Sequence, residues 1–292
     1  MSAAAAARPG RKLGGGGRRL PLLALLSVAT ALASPGPASA EERPRQVVLV
    51  ELDAAIDHVS SGFLRRSLEE AASEGAVVVV VRIDTPGGLL SATREMVGHV
   101  FGSAVPVVAY VAPEGAQAAS AGTFVAAAAA LLALAPATNI GAAAVVGSGG
   151  QDLPETLSRK ATEDAAALMR SIATRRGRPA APLEATVREA RSYSAGEARE
   201  LGIADLVATD LGALLRALDG RTLAAAGGGV RVHTAGAAVR TVEMNVFERV
   251  LSFLADPNIA FLLISLGALA LAVEIWNPGL WVPGAVGLIF LI

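Results

Sequence analysis

AVVVVVRIDTPGGLL, residues 76–90, is the stretch whose reading decides the fold. The valine run from Val77 to Val81 has no polar alternation, which suits a strand buried on both faces, as in a parallel sheet. Asp84-Thr85-Pro86-Gly87-Gly88 then turns the chain, and Leu89 to Phe101 returns to helical spacing. Working outward, QVVLVEL (46–52) reads as an earlier strand and Gly62 to Glu74 as a helix with Phe63, Leu64 and Leu68 on one face. VPVVAYV (105–111) reads as the next strand. Strand, helix, strand, helix, strand is the βαβ pattern of an α/β layered fold.

Beyond this core, the alanine-rich segment after Thr123 predicts a helix to about Leu132, and Leu134 to Ala144 a short strand and loop. The glycine-rich 147–157 is unpatterned and reads as a loop able to cover an extended ligand. Ser158 is the expected N-cap of a helix to Arg176, Ser194 caps another through Leu201, and Ile203 to Val207 is the last strand.

The two ends are different in kind. Residues 1–40 read as a secretory signal peptide: Arg11, Lys12, Arg18 and Arg19, then LPLLALLSVATALA (20–33), then the small-x-small Ala38-Ser39-Ala40. A composition shift at 209–245 reads as a linker or small β elements. From 246 to 292 the chain reads as a membrane region. There Phe247, Val250, Leu251 and Leu254 form an interfacial stripe and residues 257–276 one span, with Trp276 and Trp281 suited to the membrane–water boundary. A second apolar segment opens near Leu280 and is too short to cross, which takes ~20 residues, so the chain is expected to be cut, or its natural gene truncated, within a multi-span region.

Composition narrows the chemistry. The net charge of −1 offers no basic field for nucleic acid. There is no cysteine, and His58, His99 and His233 have no metal-ligand spacing, so neither a metal site nor a cofactor is expected. Asp57-His58 is not a persuasive triad fragment. Of the 25 basic residues only Lys12 and Lys160 are lysine, and Lys12 lies in the leader. Lysine can lose its proton when desolvated; arginine in practice does not.

Three features bear on catalysis, each with a plainer reading. Gly87-Gly88 can present backbone N–H groups to an oxyanion, or can serve a turn that needs positive φ. Ser120, in Ala119-Ser120-Ala121-Gly122-Thr123, is an unshielded hydroxyl at a helix start, or an ordinary N-cap. Lys160 is a candidate general base near a helix N-terminus, or a solvated surface residue.

The order of these motifs resembles the NfeD-type membrane-bound serine proteases, relatives of ClpP and the signal peptide peptidase SppA. The resemblance is carried by IDTPGGLLSATREMV (83–97), YVAPEGAQAASAGTFVAAAA (110–129), APATNIGAA (135–143), KATEDAAALMRSIATRRGR (160–178) and YSAGEARELGIADLVA (193–208). ADPNIAFLLISLG (255–267) and NPGLWVPGAVG (277–287) match the family's membrane region. The resemblance implies a ClpP/crotonase-like α/β domain at 41–208, Ser120 as nucleophile and Lys160 as base, with an oxyanion hole from the backbone of Gly88, Gly87 and Ala121. It also implies hydrophobic peptide substrates, a stomatin-like membrane partner, assembly into dimers or larger rings, and a protease domain on the extracytoplasmic side. Two rival readings are a crotonase-fold enzyme acting on acyl-CoA, disfavoured by secretion, and a non-catalytic membrane scaffold. Asp84, Asp164 and Arg178 lie inside the matching motifs and are expected to serve turns or ion pairs.

Overall fold

The computed structural model describes residues 45–147, 151, 154–255, 257–277 and 281–291, so the leader read at 1–40 lies outside it. The chain opens with β1 (Gln46–Leu52), α1 (His58–Glu74), β2 (Val78–Ile83), α2 (Leu90–Gly102) and β3 (Val107–Val111). It continues through β4 (Gln117–Ala119), α3 (Ala121–Ala128), β5 (Leu131–Leu134), β6 (Asn139–Gly141), α4 (Glu155–Arg176) and α5 (Ala180–Arg188). Then come β7 (Ser192–Ser194), α6 (Ala195–Glu200), β8 (Leu206–Val207), α7 (Leu211–Leu218), β9 (Thr222–Ala225), β10 (Gly228–Arg231) and β11 (Ala238–Val242). Three helices close the described chain: α8 (Val246–Ala255), α9 (Pro257–Trp276) and α10 (Val282–Leu291).

A parallel six-stranded sheet has the order β11-β1-β2-β3-β5-β8. The valine run explains its centre. Val79, Val81 and Ile83 of β2 point into the core shared with α1 to α4, where Phe63, Leu64, Met96, Phe124 and Met169 are buried. Val78 and Val80 point the other way, against Leu214 and Leu218 of α7 and Leu223 of β9. Period-two alternation and burial on both faces together account for a strand with almost no polar residue. β4, β6 and β7 form a smaller three-stranded sheet beyond the ends of the main strands.

Four local readings change. The alanine helix stops at Ala128 and the chain re-enters the main sheet as β5, paired with β3 from Val108↔Leu131 to Val111↔Leu134. Alanine propensity alone would have carried the helix onward. What ends it is tertiary: buried Arg178 donates to the carbonyls of Ala127 (3.1 Å), Ala129 (3.2 Å) and Ile203 (2.8 Å) and pairs with Asp205 at 2.9 Å. α4 begins at Glu155 with Pro154 in the capping position, so Ser158 is not its cap. α5 was not anticipated, because Pro179 and Pro182 interrupt its pattern. Both fall at the helix start, where a missing N–H costs little. Residues 209–245 contain α7 and a β9–β10 hairpin, and β11 joins the main sheet beside β1.

Candidate active site

The loops that follow β1, β2, β4 and β6 converge at the carboxyl ends of the parallel strands, where open α/β sheets place their ligand sites. A cleft of about 520 Å³ lies there, lined by Ile56, Pro86, Gly88, Leu89, Ser120, Ala121 and Phe124, and by Ala143 to Gly147.

Thr85 organises the turn. Its buried hydroxyl donates to the Ala54 carbonyl at 2.7 Å and accepts from the Gly87 N–H at 3.2 Å. Its backbone bridges to β4 through Thr85 N–H to Gln117 O (2.8 Å) and Ala119 N–H to Thr85 O (3.1 Å). On the other side Ile56 N–H donates to Gly87 O (2.7 Å) and Leu89 N–H to Ile56 O (2.8 Å). Asp84 Oδ1 accepts from the Gln117 N–H, a structural role in the same turn.

The glycine pair is sterically required. Gly87 has φ +123, and a Cβ there would sit 2.5 Å from Ser120 Cβ. At Gly88 a Cβ would meet the Ile56 carbonyl oxygen at 2.0 Å. Gly87 therefore lets the nucleophile candidate lie against the turn, and Gly88 lets the turn lie against the Ile56 segment.

Ser120 stands between β4 and α3 with φ 50 and ψ −116, a sparsely populated conformation for a residue with a side chain. Its N–H donates to Gly141 O at 2.9 Å, and Thr123 Oγ1 donates to the Gly141 and Ala118 carbonyls at 3.0 and 2.9 Å. These bonds hold the outlier in place. Ser120 occupies the capping position of α3 but makes no side-chain capping bond. Its hydroxyl is left facing the cleft. The ordinary N-cap explanation accounts for the position and not for the side chain.

Among the described residues the N–H groups of Gly88 and Ala121 make no hydrogen bond, and both residues line the cleft. The Gly87 N–H is engaged by Thr85, so two of the three expected oxyanion donors are available. Gly87, Gly88, Ser120 and Ala121 thus come together.

Lys160 does not join them here. It is exposed in the second turn of α4, does not line the cleft and makes no hydrogen bond to Ser120. The earlier start of α4 also places it past the first turn, where the helix-dipole effect on a cation has fallen off. Nearby, Asp164 pairs with Arg94 of α2 and Glu163 with Arg188 of α5, which ties the start of α4 to its neighbours. His58 meets Glu95 and Ser91 at 3.2 and 3.3 Å on an exposed surface, and Asp57 caps α1. The positioning roles of Thr85 and Thr123 were missed. Their only sequence signal is a β-branched hydroxyl inside each small-residue motif.

A parallel sheet carrying a strained serine at a helix start, beside a glycine turn with two free amides, defines an α/β protein with a candidate nucleophile site. The chain belongs to the family of NfeD1b N-terminal domains, whose model matches residues 46–220. It is 33% identical over 230 residues to the membrane-bound protease PH1510 of Pyrococcus horikoshii, covering 78% of this chain and 52% of that protein. It is 27% identical over 263 residues to the membrane protein NfeD1b of Bacillus subtilis, covering 87% of this chain and 56% of the relative. The chain thus spans about half the length of the curated relatives it matches. Among solved structures it resembles the 1510-N membrane-bound stomatin-specific protease from Pyrococcus horikoshii. A lysine-to-alanine variant of that protease in complex with a substrate peptide superposes with TM-score 0.67 at 28% identity, covering 73% of this chain and 99% of that one. A serine-to-alanine variant gives TM-score 0.63 at 28% identity, covering 69% and 99%.

Proposed function

We propose that this chain is a membrane-anchored serine endopeptidase that cleaves hydrophobic peptide segments, with Ser120 as nucleophile and Lys160 as general base. The observation that carries the reading is Ser120 itself: a residue held at φ 50 by the Gly141 carbonyl, its hydroxyl uncommitted, in a cleft that two free amides share. Strain of this kind, of order 1–3 kcal/mol, persists where the surroundings over-determine it, and it clusters at reacting residues.

In the proposed reaction, unprotonated Lys160 takes the Ser120 Oγ proton as Oγ attacks the peptide carbonyl. The N–H groups of Gly88 and Ala121 receive the oxyanion. Collapse expels the amine, which takes its proton from Lys160 Nζ, and water then hydrolyses the ester with Lys160 again as base. The step requires Nζ within about 2.6–3.2 Å of Oγ, a contact that in the absence of substrate is often looser. The related protease supports the pair: the serine and lysine replaced in its variants are separated along the chain by nearly the same stretch as Ser120 and Lys160. Exposed Leu89 and Val146 beside the cleft favour an apolar substrate.

The anchor is α9. Among the described residues Ile259–Trp276 is the one stretch long and apolar enough to cross a membrane, with mean hydropathy 2.3. α10 packs against it closely, since a Cβ at Gly287 would meet the Gly267 carbonyl oxygen at 2.8 Å. A stomatin-like protein as substrate or partner, a dimeric assembly and an extracytoplasmic protease domain belong to the same proposal. The relative described as a stomatin-specific protease supports the first of these.

The test is cleavage of apolar peptides by the full chain in lipid vesicles. Ser120→Ala and Lys160→Ala are each expected to abolish turnover while leaving the thermal midpoint within a few degrees. Equal cleavage by wild type and both variants excludes the pair. No cleavage by any of them favours the scaffold reading, to which the exposed Lys160 already lends some weight.

A further inference from the structure

α8 is amphipathic, and it is mounted inside out. At 100° per residue, Val246, Phe247, Val250, Leu251, Phe253 and Leu254 share one side, while Glu248 and Ser252 lie opposite. A helix packed on a soluble domain turns its apolar side inward. Here Glu248 and Ser252 are the half-buried positions, and Val246, Phe247 and Phe253 are 77%, 71% and 60% exposed.

The polar side is held by a specific clasp. Arg66 of α1 donates from Nε and Nη2 to the two Glu248 carboxylate oxygens at 2.8 and 2.7 Å, a bidentate pair. Arg66 Nη2 also reaches the Glu243 carbonyl at 3.1 Å. Asn245 and Glu248 cap each other's backbone, Glu248 N–H to Asn245 Oδ1 at 2.9 Å and Asn245 N–H to Glu248 Oε2 at 2.8 Å. Charge pairing, not apolar packing, sets how α8 is rotated on the domain.

Continuity says what covers the apolar side. Ala255 ends α8 and Pro257 begins α9, so at most about 7 Å of chain separates them. If α9 crosses the bilayer, the end of α8 is at its surface. Ala255 also lines the Ser120 cleft.

We propose that α8 lies in the membrane interface with its apolar face in lipid, and that it seats the mouth of the Ser120 cleft against the bilayer, so that the peptide admitted is a juxtamembrane segment. The lipid seat stands without the peptidase reading; the substrate class rests on it.

The test uses the full chain in vesicles of phosphatidylcholine and phosphatidylglycerol. Because the chain has no cysteine, Val250→Cys, Ser252→Cys and Leu269→Cys each carry a thiol-linked fluorophore at one place. A nitroxide attached near the lipid headgroup is expected to quench the label at 250 and spare the label at 252, while a deep nitroxide quenches the label at 269. Quenching at 269 with none at 250 overturns the lipid seat. So do disulfides between copies of Val250→Cys with no lipid quenching, which would assign the face to a second copy. For the substrate half, Phe247→Glu combined with Val250→Glu is expected to lose cleavage of an apolar peptide tethered to the vesicle by a lipid chain, and to cleave the free peptide at the wild-type rate. Equal losses on both peptides overturn the link between α8 and the cleft. Wild type that cleaves neither peptide removes the peptidase reading and the substrate class together, and quenching still decides the lipid seat.

Discussion

The turn that carries Ser120 and the helix end that carries Lys160 are built in different ways. Around Ser120 the contacts are hydrogen bonds of threonine hydroxyls and backbone groups, mostly buried: Thr85 to Ala54 and Gly87, Ser120 to Gly141, Thr123 to Ala118 and Gly141. Around Lys160 no described residue of α4 before Ala165 is buried, and the helix end is tied by the exposed pairs Arg94–Asp164 and Arg188–Glu163. Buried bonds in a low-dielectric setting are costly to break, whereas exposed ion pairs contribute about 0–1 kcal/mol. The proposed nucleophile and the amides beside it are preorganised. The proposed base sits on a stretch of α4 with no buried residue before Ala165, the kind of element from which parts that move on ligand binding are drawn.

Four substitutions break or sharpen this contrast. The largest effect is expected from Lys160→Arg. A guanidinium keeps its proton, so turnover should fall by about 10²–10⁴-fold, roughly 3–5 kcal/mol of barrier, with an unchanged thermal midpoint. Activity near wild type would show that residue 160 contributes only charge. Gly87→Ala comes next. It forces a Cβ at φ +123 to within 2.5 Å of Ser120 Cβ, so denaturant unfolding should show a loss of about 2–4 kcal/mol, and turnover of the folded fraction should fall by about 10–100-fold, a rate that can still be measured. Thr85→Val keeps the shape but removes the acceptor of the Gly87 N–H, an expected loss of about 1–3 kcal/mol. Because it loosens the turn and not the base, its fall in turnover should combine non-additively with Gly87→Ala and additively with Arg188→Ala, as a double-mutant cycle would read.

The smallest effect is expected at the exposed pair. Hydrogen bonds from Arg188 hold the Glu163 carboxyl below its usual range. A depressed carboxylate contributes fully above its unfolded value and loses that contribution as pH falls through the folded one. Arg188→Ala should therefore lower amide protection, measured relative to the intrinsic exchange rate at each pH, across residues 155–164 at neutral pH, and acidification of the wild type should do the same. The midpoint of Arg188→Ala at neutral pH should stay put. Exchange that ignores both changes would show that the pair does not restrain α4.

Much of the fold was legible because burial leaves a periodic trace. β1, β2 and β3 were readable from valine runs, and α6 from the Ser194 cap, which the structure completes as a capping box with Glu197. The alanine segment after Thr123 was not readable to its end. Nothing local separates α3 from β5; the boundary is made by Arg178, about fifty residues downstream, reaching the Ala127 and Ala129 carbonyls. The site divides in the same way. Ser120, Gly87, Gly88 and Ala121 sit in short motifs that one turn of chain can express. The engagement of the Gly87 amide by Thr85 and the inverted mounting of α8 cannot be expressed so.

The sequence alone determined the parallel α/β core, the small-residue motifs at Ser120 and the glycine turn, and the apolar segment that becomes α9, because each follows from side-chain type at fixed local spacing. Tertiary structure decided that Gly87 backs onto Ser120, which amides remain free, that Lys160 lies apart from the hydroxyl, and which way α8 faces. Those outcomes depend on contacts between residues far apart in the chain, and local spacing carries no record of them.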